Sequence, residues 1–545
     1  MTARREALSR HSFLLSSAAA FTSCTVVGGG GSNGRVNRST IPGTLRYTDG
    51  EGVSGLNDHL VPELSVGFLS NLHQGFLMRY DARGNPYGDL AVQVPSLANG
   101  GIAKDGKTIT FHLRRGVTWS DGAPFGPDDV VFTTHATLDV KNNDLYRSSL
   151  SSIADVARRG ADEVVFRLKS PYAPFTDLFF SSDSGCIYPK HLLENVSAID
   201  RTSYAALPIG LGPFTVTRWQ RDESVDLVAN PNFHLGRPKL NKIVYKIMTD
   251  WNSILNAIRT GDLDLAMLVP AAQFVRGRDV PGYHGIAVAG GTFSQLSFNL
   301  KHPPLDDLRV RQALRYGTNR RLLAQKVMHG LVDLQESPIG GQSAHTDTHI
   351  PFHEYDPKRA AGLLDAAGWM VGAGGERVKN GVPLELNLAT STGNEERDSI
   401  AAIVQDDWKR LGVDLTIKHY PATTLYNSYA AGGILERGRF DVEQSHQGYG
   451  LFGDETSIWA CRSQPPVAVN TSHYCTPAFD RALGAFTREY DPVRSQQFAN
   501  TFQEKLAEDI PNIVLFIARD LYIVNDDLKG LHPGGTFDGS ENWTI

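Results

Sequence analysis

The sequence predicts an α/β protein with more than one domain, and three observations support that prediction. The chain has 545 residues, which is more than a single hydrophobic core usually serves. Strand-like stretches, in which apolar and polar residues alternate, interleave with helix-like stretches along the whole chain. Residues 107–132 show both patterns in direct succession. We therefore expect an α/β class with two or three domains.

Residues 107–132 predict a strand, a tight turn and a helix. Ile109, Phe111 and Leu113 alternate with polar residues, as in a strand with one buried face. A Ser-Asp-Gly turn follows, in which the glycine accepts a positive φ. Pro127 suits the first helical position, and the two aspartates after it place negative charge at the positive end of the helix dipole.

The remaining elements follow from the same local signals, taken in chain order. We expect a strand at 44–47, a helix over 65–78, a hairpin turn at 84–86, a helix that ends at the C-cap Gly261, and a helix that begins at Asp356-Pro357 and ends at Gly368-Trp369.

Composition and charge restrict the function. Hydrophobic residues make up 41% of the chain and charged residues 21%, which is typical of a soluble globular protein. The net charge of −6 with mixed signs provides neither a basic surface for nucleic acid nor a polybasic membrane patch. Beyond the N-terminus no apolar run approaches the length of a membrane span.

The N-terminus predicts export. Residues 1–24 read as a signal peptide, with arginines ahead of the short apolar stretch 13–21. The sequence Phe-Thr-Ser-Cys that ends at Cys24 resembles a lipobox, so Cys24 is either a lipid attachment site or an unmodified signal-peptide cysteine. Residues 25–40 contain a G-x-G-x-x-G pattern, but polar residues rather than a helix follow it. A flexible tether is the better interpretation.

The other cysteines leave two interpretations open. Cys461 and Cys475 either close a surface loop as a disulfide in an oxidising compartment or are two unrelated thiols. Cys186 is most simply a buried thiol. No cysteine lies in a C-x-x-C pair, so a zinc cluster is not expected.

The sequence L-R-R-G-V-T-W-S-D-G-A-P-F-G-P-D-D-V-V-F at 113–132 resembles the signature of extracellular solute-binding protein family 5, the peptide- and nickel-type receptors of bacterial ABC importers. Further stretches resemble family elements in the family's order. These are Leu56–His59, Ile187–Leu192, Pro208–Phe214, Ala229–Phe233, Ala257–Asp264, Pro304–Leu314 and Glu508–Pro511. The resemblance covers the chain from about residue 45 to its end.

This resemblance implies a two-lobed periplasmic-binding-protein fold of the large peptide-binding class with a subdivided first lobe. Lobe I is then expected at 41–297 plus 512–545, with a subdomain inserted at about 74–206. Lobe II is expected at 298–511.

The resemblance also implies a first ligand-binding segment. Pro62, Glu63 and Leu64 stand where the family pairs with an extended peptide backbone. Such strand-like pairing gives affinity without side-chain specificity. The alternative for Glu63 is a solvated loop acid.

A second segment runs from Gln447 to Ser457 and is similar to the family segment whose aspartate holds the peptide's α-amino group. Candidate ligand contacts here are Gly448, Tyr449, Gly450, Leu451 and Asp454. With Thr456-Ser457 aligned, the family's aspartate becomes Leu451, which cannot pair with an ammonium group. Asp454 substitutes for it only if the loop is shifted. Tyr449 is either a stacking surface or part of the core.

The resemblance implies a non-enzymatic receptor that captures a peptide or similar-sized solute and delivers it to ABC permease subunits. We expect an exported monomer, which is anchored to the membrane if Cys24 is lipidated. The first alternative keeps the fold but changes the cargo to a metal chelate, haem, sugar or opine. The second is an exported hydrolase, for which no G-x-S-x-G, H-E-x-x-H or S-x-x-K motif is placed beside partner motifs. No cofactor or metal site is expected.

Overall fold

Two long antiparallel strands, Tyr283–Phe298 and Asn512–Asn525, lie side by side in the largest sheet of this computed structural model. The structure describes residues 39–545 except 176–179, 183, 342, 344, 451 and 535–536. The two long strands separate strands from early in the chain from strands of its second half.

Strands occur throughout the described residues. They are β1 Thr44–Thr48, β2 Met78–Tyr80, β3 Pro86–Gly88, β4 Thr108–His112, β5 Ile153–Arg159, β6 Glu163–Leu168, β7 Phe214–Gln220, β8 Ser224–Ala229, β9 Lys242–Lys246, β10 Leu265–Ala266, β11 Tyr283–Phe298, β12 Val332–Asp333, β13 Met370–Val371, β14 Arg377–Lys379, β15 Val382–Pro383, β16 Glu385–Ser391, β17 Asp414–Tyr420, β18 Val442–Gly448 and β19 Asn512–Asn525.

Helices alternate with these strands. They are α1 Leu64–His73, α2 Pro127–Leu138, α3 Arg147–Leu150, α4 Lys190–Leu193, α5 Ser203–Ala206, α6 Trp251–Thr260, α7 Ala271–Gly277, α8 Leu308–Tyr316, α9 Arg320–Lys326, α10 Pro357–Ala366, α11 Glu395–Arg410, α12 Ala422–Leu425, α13 Thr456–Trp459, α14 Pro477–Phe486 and α15 Pro492–Asp509. Short 3₁₀ turns lie at Val140–Asn142, Ile199–Arg201, Cys461–Ser463 and Ser540–Asn542.

The main sheet has the strand order β17-β16-β18-β11-β19-β10-β1-β9-β8-β7, and β12 also pairs with β19. β1 pairs in parallel with β9 and β10, and β16 pairs in parallel with β17 and β18. The two parallel regions therefore lie on opposite sides of the β11–β19 pair. This mixed α/β sheet, together with the structural relatives described below, confirms the predicted two-lobed class.

A separate hydrophobic core belongs to the part of the chain between Leu77 and Leu211. The sheet β4-β6-β5 and helix α2 contribute to it. This is the region of the expected subdomain, whereas the residue boundaries of the lobes stay predictions.

The strand, turn and helix predicted at 107–132 are confirmed as β4 and α2. The Asp129 carboxylate accepts the Gly126 N–H at 2.9 Å and the Lys190 N–H at 3.0 Å. It therefore fixes the start of α2 and joins it to the start of α4. Trp119, in the turn region between the two elements, is fully buried.

One helix prediction was too long. The helix expected over 65–78 ends at His73, and Met78 begins β2 instead. The chain leaves the helix at the C-cap Gln74, whose backbone is extended at φ −97° and ψ 168°, and the following Gly75 is a poor helix former. A Cβ at Gly75 would lie 2.5 Å from the Leu211 Cβ, so this position is packed closely against a distant segment. The other elements predicted from local signals are confirmed: the strand at 44–47, the turn before β3, the C-cap Gly261 at φ +75° and the N-cap Asp356.

Candidate functional site

The first predicted segment lies at the start of α1. Glu63 is the N-cap residue, and its Oε2 accepts the Ser54 N–H at 2.8 Å. Leu64 is 66% exposed, and Pro62 is also exposed. Glu63 and Leu64 line an open cavity of about 650 Å³ together with Trp251.

The second predicted segment begins where β18 ends at Gly448. Tyr449 is buried, its hydroxyl donates to the Gly290 carbonyl at 2.6 Å and its N–H donates to the Gly291 carbonyl at 3.1 Å. Tyr449 therefore belongs to the core and fastens this loop to β11. Gly450 accepts the Gly453 N–H at 2.8 Å in a turn. Leu451 lies outside the described residues.

Asp454 faces a different cavity, of about 520 Å³, from the one beside Glu63. Its Oδ2 accepts the Tyr172 hydroxyl at 2.6 Å, and its Oδ1 accepts the Thr456 N–H at 2.9 Å. The cavity is lined by residues 148–172 on one side and 454–488 on the other. The two predicted segments therefore do not meet in one cavity.

Charges of both signs line this polar cavity beside Asp454. Asp454 and Asp480 supply the acids, and Arg462 and Arg488 supply exposed guanidinium groups. Within the part of the chain that the structure describes, neither arginine has an ion-pair partner. Such a cavity can satisfy an ammonium group and a carboxylate of the same ligand.

The neighbouring Glu455 does not add a second negative charge. Glu455 is 1% exposed. Its pKa is raised to about 8, mainly because burial disfavours the charged form and also because the charge of Asp454 lies nearby. Trp459 Nε1 donates to Glu455 Oε2 at 3.2 Å. At neutral pH Glu455 is therefore protonated, and Asp454 carries the charge of this pair.

A disulfide shapes the wall of the cavity. Cys461 and Cys475 are joined, with an S–S distance of 2.11 Å. The loop they close contributes Arg462 to the polar cavity and Thr471 to a third, smaller one. The third cavity has a volume of about 180 Å³ and is also lined by Gln447.

Sequence reasoning missed Arg462, Arg488 and Glu443, which lines the third cavity. The two arginines are exposed and carry no motif, so no local signal identifies them. Glu443, in contrast, is unusual for its position. It is an acid near the start of β18, where the neighbouring residues are buried, and burying a charge without a partner is costly.

One group of possible metal ligands lies in the described residues. Ligand atoms of Asp58, His59 and Cys186 fall within 4.8 Å of one another, and all three residues are buried. His59 Nδ1 already lies 2.8 Å from Asp144 Oδ2, and its Nε2 lies 2.8 Å from the Cys186 carbonyl oxygen. Burial lowers the pKa of His59, but the Asp144 charge and hydrogen bond outweigh it and raise that pKa to about 9. A doubly hydrogen-bonded imidazolium cannot ligate a metal.

Comparison with known proteins gives a consistent result. The profile described as bacterial extracellular solute-binding proteins, family 5 middle, matches residues 92–466. The oligopeptide-binding protein AppA of Bacillus subtilis is 27% identical over 488 residues, covering 88% of this chain and 87% of AppA. The nickel-binding periplasmic protein of Escherichia coli is 28% identical over 381 residues, covering 69% of this chain and 70% of that protein.

A solved structure agrees with these sequence relatives. NikZ from Campylobacter jejuni in complex with Ni(L-His) superposes with a TM-score of 0.78 at 25% identity, covering 93% of this chain and all of NikZ. The fold defines the class as a two-lobed solute-binding protein. The chain belongs to family 5 of the bacterial extracellular solute-binding proteins.

Family membership has direct consequences. Proteins of this family bind peptides or other small solutes outside the cytoplasm and work with ABC permeases. Among the described helices, none combines the length and apolar character that a membrane crossing requires. The chain is thus a solute-binding component of a transport system.

Proposed function

We propose that this protein is a non-enzymatic receptor that captures a peptide between its lobes and delivers it to an ABC permease. The observation that carries the proposal is the polar cavity of about 520 Å³, whose walls come from residues 148–172 and 454–488. Its volume lies within the range of about 300–1,000 Å³ typical of small-ligand sites. The lobe boundaries at 297/298 and 511/512 are part of the same proposal.

Charge complementarity favours a free peptide. Asp454 accepts the peptide's α-ammonium group, because Glu455 beside it is protonated and does not compete for the cation. Arg462 or Arg488 binds the C-terminal carboxylate, and guanidinium groups suit such bidentate pairing. Asp454 thereby takes the role that Leu451 cannot fill.

Closure of the lobes then buries the peptide. β11 ends and β19 begins at the proposed lobe boundaries, so a change in the backbone at these two points changes the angle between the lobes. Closure removes water from the ion pairs and strengthens them.

A calorimetric binding series tests the proposal. We expect free di- to pentapeptides to bind, and N-acetylation to weaken binding at least tenfold. Asp454→Asn should cause the same loss for free peptides and no further loss for acetylated ones. Asp398→Asn, an exposed acid on α11, is the control. Binding of oligosaccharides or metal chelates but of no peptide would overturn the peptide assignment. Turnover of a bound ligand would overturn the non-enzymatic role.

A metal chelate is the second candidate cargo. It is favoured by the nickel-related names of two relatives, the E. coli protein and NikZ. The same calorimetric series with Ni(L-His) separates the two cargoes. Peptides should bind and the chelate should not.

We also propose that the exported protein is held at the membrane by a lipid on Cys24. The lipobox-like sequence around Cys24 supports this, and the tether 25–40 gives the receptor reach. Palmitate labelling of whole cells should mark the wild type and not Cys24→Ser. Labelling of both, or of neither, would remove the anchor from the proposal.

A further inference from the structure

A third cavity lies on the second lobe, beside the polar cavity. It has a volume of about 180 Å³ and is lined by residues of β11 and β18 together with Tyr426, Trp459 and Thr471. The volume is below that of a typical site for a whole small ligand, which is about 300 Å³ or more. It can hold one side-chain end rather than a complete peptide.

Two carboxylates define the chemistry of this third cavity. Glu443 is 5% exposed, and Glu436 is partly buried. Among the described residues, no ion pair involves either of them. Glu443 Oε2 accepts the hydroxyl of Thr471 at 3.2 Å, and Ser445 is a second neutral hydrogen-bond partner of Glu443. Glu436 Oε2 accepts the Tyr429 N–H at 2.5 Å.

Arg397, whose positive charge acts on Glu443, donates its hydrogen bonds to other residues. Arg397 donates from Nη1 to Ser391 Oγ at 2.6 Å and to the Tyr426 hydroxyl at 3.1 Å, and it is not among the lining residues. Burial raises the pKa of Glu443, with Ser445, Thr471 and Arg397 only partly opposing it. A buried carboxylate of this kind gains most from a cation that enters the cavity itself.

The other walls suit an aliphatic stem. Leu435, Ile458 and Val469 supply apolar surface, and the buried Trp459 ring borders the same space. Trp459 is the last residue of α13, the helix that begins at Thr456 beside Asp454. One short segment therefore borders both the polar cavity and the third cavity.

We propose that the third cavity binds the positively charged end of a lysine or arginine side chain of the peptide cargo, with Glu443 and Glu436 as its acceptors. The inference rests on the proposed peptide-binding function and adds a side-chain preference to it.

Three matched peptides test the inference: Ala-Lys-Ala, Ala-norleucine-Ala and Ala-(Nε-acetyl-lysine)-Ala, measured by calorimetry at constant ionic strength. We expect the lysine peptide to bind about tenfold more tightly than either uncharged analogue. Glu443→Gln should remove most of that preference while leaving the norleucine peptide unchanged. As a control, Glu385→Gln, which replaces an exposed acid at the start of β16, should leave the preference for the lysine peptide unchanged.

The outcomes separate the two proposals. If none of the peptides binds, both the proposed peptide-binding function and the inference about the third cavity are wrong. If all three bind equally to the wild type, or if the lysine preference survives in both Glu443→Gln and Glu436→Gln, the inference alone is overturned. If Glu443→Gln does not fold by circular dichroism, the partly exposed Glu436→Gln decides, with an expected loss of about threefold or more for the lysine peptide only.

Discussion

Glu455 illustrates how a single buried acid can report on its surroundings. Its pKa of about 8 lies above the ordinary value of 4.5. Between these two pH values the unfolded chain has released the proton and the folded chain has kept it. The free energy of unfolding therefore falls as the pH rises through that window.

Replacing Glu455 by glutamine should remove this pH-dependent loss of stability. The amide keeps an oxygen acceptor for Trp459 Nε1 but carries no charge. We expect Glu455→Gln to raise the free energy of unfolding by about 1–3 kcal/mol at pH 7 and by much less at pH 4.5. Urea unfolding at both pH values measures the difference. An equal effect at the two pH values would contradict the assignment of a raised pKa.

His59 should give a pH dependence of the same sign, over a higher pH range. Its pKa is raised from 6.5 to about 9, mainly by Asp144 against the effect of burial. The resulting stability is fully present below pH 6.5 and is lost as the pH rises through 9. Asp144→Asn should lower the free energy of unfolding by about 3–5 kcal/mol at pH 6.5, because it leaves a buried charge unpaired. The loss should shrink towards pH 9.5, as shown by urea unfolding, with Asp398→Asn as an exposed control.

At the residue scale, sequence reasoning identified residue types better than their surroundings. Tyr449 lies in the segment that the family resemblance singled out, yet its ring is buried and its hydroxyl bonds to the Gly290 carbonyl. That outcome depends on a strand far away in the sequence. No local pattern around Tyr449 contains the information.

At the scale of elements, the start of α2 offers a matched pair of acids. Asp129 accepts two backbone N–H groups and is 6% exposed. Its neighbour Asp128 pairs with Arg158 at 2.8 Å on the surface. We expect Asp129→Ala to lower the free energy of unfolding by about 2–3 kcal/mol and Asp128→Ala by less than about 1 kcal/mol. Thermal unfolding of both variants compares them, and equal losses would show that the bonds across to α4 contribute nothing.

The elements that sequence predicted well are those with local causes. α2 begins at Pro127 and α6 ends at Gly261 because the proline, the aspartates and the glycine act within one turn. The close packing of Gly75 against Leu211, just beyond the end of α1, depends on a segment far away in the sequence. The cavities have distant causes too, since residues 148–172 and 454–488 form one wall each of the same space.

At the scale of the whole molecule, a set of tyrosine hydroxyls joins the early part of the chain to the second half. Tyr172 OH donates to Asp454 at 2.6 Å, and Tyr490 OH lies 2.9 Å from the Gly106 carbonyl oxygen and 3.0 Å from that of Tyr172. The Ala173 N–H also donates to the Thr487 carbonyl at 2.8 Å. These bonds hold the region of residues 106–173 against α14 and the start of α15.

Removing both hydroxyls should loosen that contact. We expect Tyr172→Phe/Tyr490→Phe to increase the radius of gyration in small-angle X-ray scattering without ligand, and to weaken peptide binding about two- to fivefold. Tyr420→Phe, at the end of the edge strand β17, is the control. If the radius of gyration and the affinity are both unchanged, these hydrogen bonds form when the lobes are close together but do not stabilise that arrangement.

The position of β19 has a consequence for biosynthesis. This strand lies between β11 and β10, yet it is translated after every other strand in the described part of the chain. Until residues 512–525 leave the ribosome, β10 and β11 lack the strand that connects them, and the largest sheet stays in two pieces. A protein that is threaded through a secretion channel before folding benefits from this delay, because premature folding of the nascent chain would block its passage.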